Sequence, residues 1–150
     1  MSGKPATVLV VDDDPLNRAM LSMSLGAEGH AVREAENGRE AIAVLAEHAI
    51  DVVLTDIEMP EMDGYGLLRH RSGDDRLKTI PFIVISGVDE MDSIVACIKL
   101  GAEDYLPKPF DPVLLHARLG ACLDRKRMTD EVLEWNTRLS ERVEEKVRED

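Results

Sequence analysis

Short aliphatic runs recur along the chain, each followed by a stretch with helical spacing. Residues 8–11 (VLVV) form a continuous β-branched and aliphatic run, the pattern of a strand buried on both faces of a parallel sheet. Asp12, Asp13 and Asp14 end it, and Asp14-Pro15 supplies an N-cap and first-turn proline for a helix. Leu16, Met20, Leu21 and Met23 give that helix its apolar stripe up to Gly26. The cycle then repeats. Residues 31–35 predict a second strand, Asn37 caps a helix carrying Ala41, Ile42 and Leu45, and residues 52–54 predict a third strand. Beyond the loop Met59-Pro60-Glu61-Met62-Asp63-Gly64 comes a helix with Leu67 and Leu68, then a strand at 82–85 behind Pro81. A helix from about Asp89 to Leu100 is stopped by Gly101, and residues 104–106 predict a short last strand.

Five strands alternating with helices predict an α/β fold with an open parallel sheet covered on both faces, because right-handed crossovers place helices on each side. In such a doubly wound sheet the ligand site lies beyond the carboxyl ends of the strands, where strand order reverses. From Asp111-Pro112 onward only Gly120 interrupts helical character, which predicts one long helix to the end of the chain. Along it Met128, Val132, Trp135, Leu139, Val143 and Val147 recur at intervals of four and three, close to a coiled-coil seam. The alternative is a charged, exposed helix held by i,i+4 ion pairs. A solitary stripe has no partner in a domain already complete, so a parallel dimeric coiled coil is preferred. The expected division is a domain at 1–123 and a helical linker at 124–150, leading to an output domain absent from this chain.

Composition narrows the function classes. The 150 residues include 30 Asp and Glu against 18 Lys and Arg, a net charge of −12 that would repel nucleic-acid phosphates and anionic lipid headgroups. Aromatic residues are only 3%, so the core must be aliphatic. Cys97 and Cys122 stand far apart among apolar residues, without a metal or redox spacing, and are expected to be reduced core thiols of a cytoplasmic protein. No apolar run reaches the roughly 18–20 residues of a membrane span, and MSGKPAT does not resemble a signal peptide. His30, His48, His70 and His116 show no metal-type spacing and are read as structural or surface residues.

The chemistry gathers at the predicted strand ends: Asp12 and Asp13 after the first, Asp56 after the third, Ser86 after the fourth and Lys108 after the fifth. Three crowded carboxylates raise one another's proton affinity unless a cation neutralises them. Mg²⁺ suits this setting, since it takes a few carboxylates together with waters and phosphate oxygens. One carboxylate can then attack phosphorus, with Lys108 pairing with the phosphoryl oxygens and Ser86 donating a hydrogen bond. Asp56, at the end of a central strand, is assigned the nucleophile's role. Asp14 is read as a cap.

LVVDDDPLNR, LTDIEMPEMDG, VISG and YLPKPF resemble, in order and spacing, the successive signatures of response-regulator receiver domains, over about residues 7–123. The resemblance implies Asp56 as phosphoacceptor and Mg²⁺ held by Asp13 directly, by Asp12 partly through water, by Asp56 and by the backbone carbonyl of Glu58. It implies Ser86 as switch hydroxyl, Tyr105 as switch aromatic and Lys108 as the phosphate-pairing lysine. It also implies strand order 2-1-3-4-5 and a cis peptide between Lys108 and Pro109. The partner it implies is a sensor histidine kinase or phosphotransfer protein. The protein is then no enzyme but a phosphoacceptor assisting its own phosphotransfer and dephosphorylation, which relays the signal through residues 88–120 and the C-terminal helix. Gly87 leaves the approach to the site open, and the Glu58 carboxylate is either a brake on hydrolytic water or a solvated acid.

Two other classes remain. A haloacid-dehalogenase-type phosphatase would use Asp12 as nucleophile, but Asp12-Asp13-Asp14-Pro15-Leu16 lacks the closing Thr or Val of that family's motif, and the chain is short for it. A phosphate-independent scaffold dimerising by its tail would have no use for the full set of site residues. The effector beyond residue 150 is expected to be a nucleotide cyclase or cyclic-dinucleotide enzyme.

Overall fold

The first strand, β1 (Thr7–Val11), is the central reason the chain folds as it does: all of Val8, Leu9, Val10 and Val11 are fully buried, so both faces of the strand need cover. The computed structural model describes residues 5–87 and 91–149, with side chains as far as Arg142. After β1 come α1 (Pro15–Ala27), β2 (Ala31–Ala35), α2 (Gly38–Glu47), β3 (Val52–Asp56) and α3 (Gly64–Ser72), then β4 (Phe82–Gly87), α4 (Met91–Lys99), β5 (Asp104–Lys108) and α5 (Pro112–Glu149). The strands pair parallel in the order β2-β1-β3-β4-β5, as expected from the resemblance. The predicted start of the fourth helix at Asp89 lies outside the described residues.

The period-2 alternation of the strands divides the core in two. Leu9, Val11, Val53, Phe82 and Val84 face α2, α3 and α4, where Ala41, Leu45, Leu67, Leu68, Ile94 and Cys97 meet them. Val8, Val10, Val52, Leu54, Ile83, Ile85 and Leu106 face the other way, onto Leu21 and Leu25 of α1 and Leu115 and Leu119 of α5. Each such aliphatic side chain contributes about 1.5–3 kcal/mol by leaving water, and two layers suffice without aromatic bulk. Both cysteines are buried and unpaired, and burial pushes the Cys97 thiol up to about 11.

The stripe expected on α1 is corrected. Leu16, Met20 and Met23 are 66%, 48% and 75% exposed, while Leu21 and Leu25 are buried. At 3.6 residues per turn Leu21 and Leu25 lie roughly 140–180° around the helix from Leu16, so α1 has two apolar faces, and its period alone does not say which meets the sheet. Asp14 caps the helix as predicted, its Oδ1 accepting from the Leu16 N–H at 2.9 Å.

Two polar devices hold the loops. Arg71, in the last turn of α3 and 8% exposed, donates to the carbonyls of Ile80 at 2.8 Å, Lys78 at 2.9 Å and Gly101 at 3.2 Å, and its guanidinium lies over the Phe82 ring. His30 accepts the Ala6 N–H on Nδ1 at 3.0 Å, the structural role expected of it. Burial first, then His116, pushes its proton affinity down.

The helix α5 runs unbroken past Leu123 to Glu149. Met128, Val132, Trp135 and Leu139 are exposed along it, whereas the side chains of Val143 and Val147 lie outside the described residues. Among the described residues no helix is long and apolar enough to cross a membrane.

Candidate functional site

At the carboxyl edge β1 and β3 are neighbours, and Val11 pairs with Thr55. The residues that follow, Asp12 and Asp13 on one strand and Asp56 on the other, therefore arrive together. One carboxylate oxygen from each lies within 4.8 Å of the others. Asp56 is itself the last residue of β3, and Ser86 and Lys108 fall inside the ends of β4 and β5 rather than after them.

Asp56 is 8% exposed. Its Oδ1 accepts from the Ile57 N–H at 2.8 Å, and its Oδ2 accepts from Lys108 Nζ at 2.9 Å. The Thr55 hydroxyl donates to the Asp56 carbonyl at 2.9 Å, so backbone and carboxylate are both held. Lys108 reaches Asp56 from two strands away. Its own backbone is bounded by Pro107 and by a cis peptide to Pro109, as the resemblance implies.

Asp12 is 1% exposed. Its Oδ1 accepts from the Asp14 N–H at 2.9 Å, but its Oδ2 is buried with no hydrogen-bond partner. Burial, above all, pushes its proton affinity up; the Asp14 N–H pulls the other way, and Asp56 adds repulsion. A buried carboxylate oxygen without a donor, facing two further carboxylates, is the donor set of a hard divalent cation such as Mg²⁺. The residues present thus fit that ion. Asp13 is exposed and completes the cluster from the solvent side.

Ser86 is buried on β4, one residue beyond Ile85, which pairs with Asp56. Its hydroxyl donates to the Gly87 carbonyl at 3.4 Å. Tyr105 is not in the carboxylate cluster. It pairs with Val84 on the edge strand, packs partly against the core, and lies under the guanidinium of Arg118. The Glu58 side chain is exposed.

Three features were not foreseen from sequence. Arg18 of α1 donates to the Asp12 carbonyl at 2.7 Å and pairs with Glu34 of β2 at 3.2 Å, tying the acidic turn to both elements. Gly64 lies so close to the strand end that a Cβ there would stand 2.8 Å from the Asp56 carbonyl oxygen. Its glycine was visible in the DG pair, but the approach it permits was not. The third is a cavity of about 240 Å³ beside Asp12 and Lys108, walled by Asn17, Met20, Leu21, Ile85 and Phe110.

The model of the response regulator receiver domain matches residues 8–120. The chain is 40% identical over 128 residues to the response regulator MprA of Mycolicibacterium vanbaalenii, covering 84% of this chain and 54% of that protein. It is 36% identical over 137 residues to a probable cyclic di-GMP phosphodiesterase of Vibrio cholerae, covering 91% of this chain and 31% of that protein. The chain thus spans about half the length of the first relative and under a third of the second. Among solved structures, a putative response regulator from Chloroflexus aurantiacus superposes with a TM-score of 0.78 at 34% identity, over 81% of this chain and 99% of that one. NtrX from Brucella abortus superposes with a TM-score of 0.81 at 29% identity, over 88% and 30%. Sheet order and acidic corner agree with these likenesses, and the chain belongs to the response-regulator receiver family of two-component signalling proteins.

Proposed function

We propose that Asp56 accepts a phosphoryl group from a histidine kinase or phosphotransfer protein, and that the chain passes this event to its C-terminal helix. The observation that carries the reading is Asp56 itself: one oxygen on Lys108 at 2.9 Å, inside a cluster with Asp12 and Asp13. In the transfer a carboxylate oxygen of Asp56 bonds to phosphorus as the donor's phosphorus–nitrogen bond breaks; the imidazole keeps the electron pair and takes up a proton. Lys108 leaves Asp56 Oδ2 for a phosphoryl oxygen, and the Ser86 hydroxyl turns to donate to another. Asp12, Asp13, Asp56 and the Glu58 backbone carbonyl would hold Mg²⁺, which supplies charge neutralisation between nucleophile and phosphoryl oxygens. Tyr105 follows Ser86, biasing the residue 88–120 face between two packings.

The exposed Leu16, Met20 and Met23 support the same reading. They form an apolar ridge on α1 next to the site, as a helical phosphodonor would need for docking. Dimerisation through the α5 extension is part of the proposal, supported by the exposed stripe Met128, Val132, Trp135 and Leu139. The greater length of the relatives supports an output module attached to this receiver in the whole protein, and the phosphodiesterase likeness favours a cyclic-dinucleotide enzyme.

The test is labelling with acetyl phosphate in Mg²⁺, followed by mapping of the modified residue. Label is expected on Asp56, falling to background in Asp56→Asn; label persisting in that variant, or mapping to Asp12 as a phosphatase of the haloacid-dehalogenase type requires, would contradict the proposal.

A further inference from the structure

Tyr105 is read above as following Ser86, yet its ring also meets a residue of α5. The Arg118 guanidinium lies 4.8 Å from the centre of the Tyr105 ring, within the range of a cation–π contact. The same guanidinium is anchored twice more, to Asp104 Oδ1 at 2.8 Å and to the backbone carbonyl of Tyr105. It is therefore pre-oriented, and its planar face meets the ring without further loss of freedom. Leu115 and Leu119, each 1% exposed, lock this turn of α5 onto the sheet and so fix where Arg118 emerges. Lys108 meanwhile is engaged with Asp56's own carboxylate, the arrangement of an unmodified acceptor.

We propose that Arg118 is a positioning residue for Tyr105: it holds the ring in the orientation of the unmodified domain and makes the ring's release felt on the helix that leaves the domain. The inference rests on the reading of Asp56 and Tyr105 as acceptor and switch. Two arrangements of the ring compete, and a contact made in only one biases the equilibrium by its own strength. Removing the guanidinium face takes that bias away and makes the modified arrangement easier to reach. Because α5 is one helix from Pro112 to Glu149, whatever loosens its hold at Arg118 is transmitted along a rigid rod.

The experiment uses the full chain and beryllofluoride with Mg²⁺ as a non-hydrolysable phosphoryl mimic. Arg118→Met is expected to lower the half-saturating beryllofluoride concentration about fivefold, the factor such a contact carries. Arg118→Lys, which keeps the charge beside Asp104 but lacks the planar face, is expected to fall between wild type and Arg118→Met. In a Tyr105→Ala background Arg118→Met should change nothing further, since a residue acting only through the ring has no effect once the ring is gone. A second readout needs no phosphoryl mimic: in protein labelled with 3-fluorotyrosine, the Tyr105 resonance should shift in Arg118→Met. Wild-type affinity for beryllofluoride together with an unmoved resonance overturns the inference, and so does an equal effect of Arg118→Met with and without the ring. Label on Asp56 under those results leaves the acceptor reading standing; its absence from Asp56 in wild type is the separate failure of that reading.

Discussion

Asp12 is the residue whose environment conflicts most with its charge. Its carboxylate is buried, one oxygen has no donor, and burial pushes its proton affinity above the ordinary 3.8. A carboxyl group with a raised folded-state pKa contributes stability only while protonated; that contribution is complete below 3.8 and lost as pH rises through the folded value. At neutral pH without divalent ions the ionised Asp12 therefore weakens the fold. Asp12→Asn in chelator is expected to melt above wild type at pH 7, with the gap closing as pH falls toward 4. Mg²⁺ should raise the wild-type midpoint and leave the variant nearly unmoved. Calorimetric scans at several pH values decide it, and a variant melting below wild type in chelator at pH 7 would sink the account.

Among the elements, the strands were the most legible, because β1, β3 and β4 are buried on both faces and read as unbroken aliphatic runs. The acidic corner was legible for the same reason: strand ends in a parallel sheet converge, so Asp12, Asp13, Asp56 and Lys108 could be placed from their positions behind those runs. The orientation of α1 was not legible, since Leu16, Met20 and Met23 form as regular a stripe as the face that is buried. Long-range polar contacts were hidden too. Nothing in the local pattern joins Arg71 to Gly101 or Arg118 to the Tyr105 ring. Arg71 shows what such contacts do for the elements: it satisfies three carbonyls from the loop before β4 and the turn before β5. Arg71→Met keeps the packing over Phe82 but strands those carbonyls, and a loss of about 2–4 kcal/mol is expected in urea unfolding. A loss below about 1 kcal/mol would show that water replaces the guanidinium without cost.

At the scale of the whole molecule, the C-terminal half of α5 carries ion pairs such as Lys126–Asp130 and Glu134–Arg138 beside its exposed apolar stripe. The pairs by themselves stabilise a lone helix by only a few tenths of a kcal/mol each, too little for an exposed extension of this length. Light scattering is expected to give about twice the 16.7 kDa chain mass, and the single mass for a variant carrying Val132→Glu and Leu139→Glu. The unsubstituted chain at the single mass would remove the seam. The sheet offers no competing route to association. Its rims are β2, where Arg33 and Glu34 stand in solvent, and β5, where Pro107 interrupts the row of amide donors. Chains meeting edge to edge find charge on one side and a missing N–H on the other, so even a crowded solution should drive this protein toward helical contacts and away from fibrillar stacking.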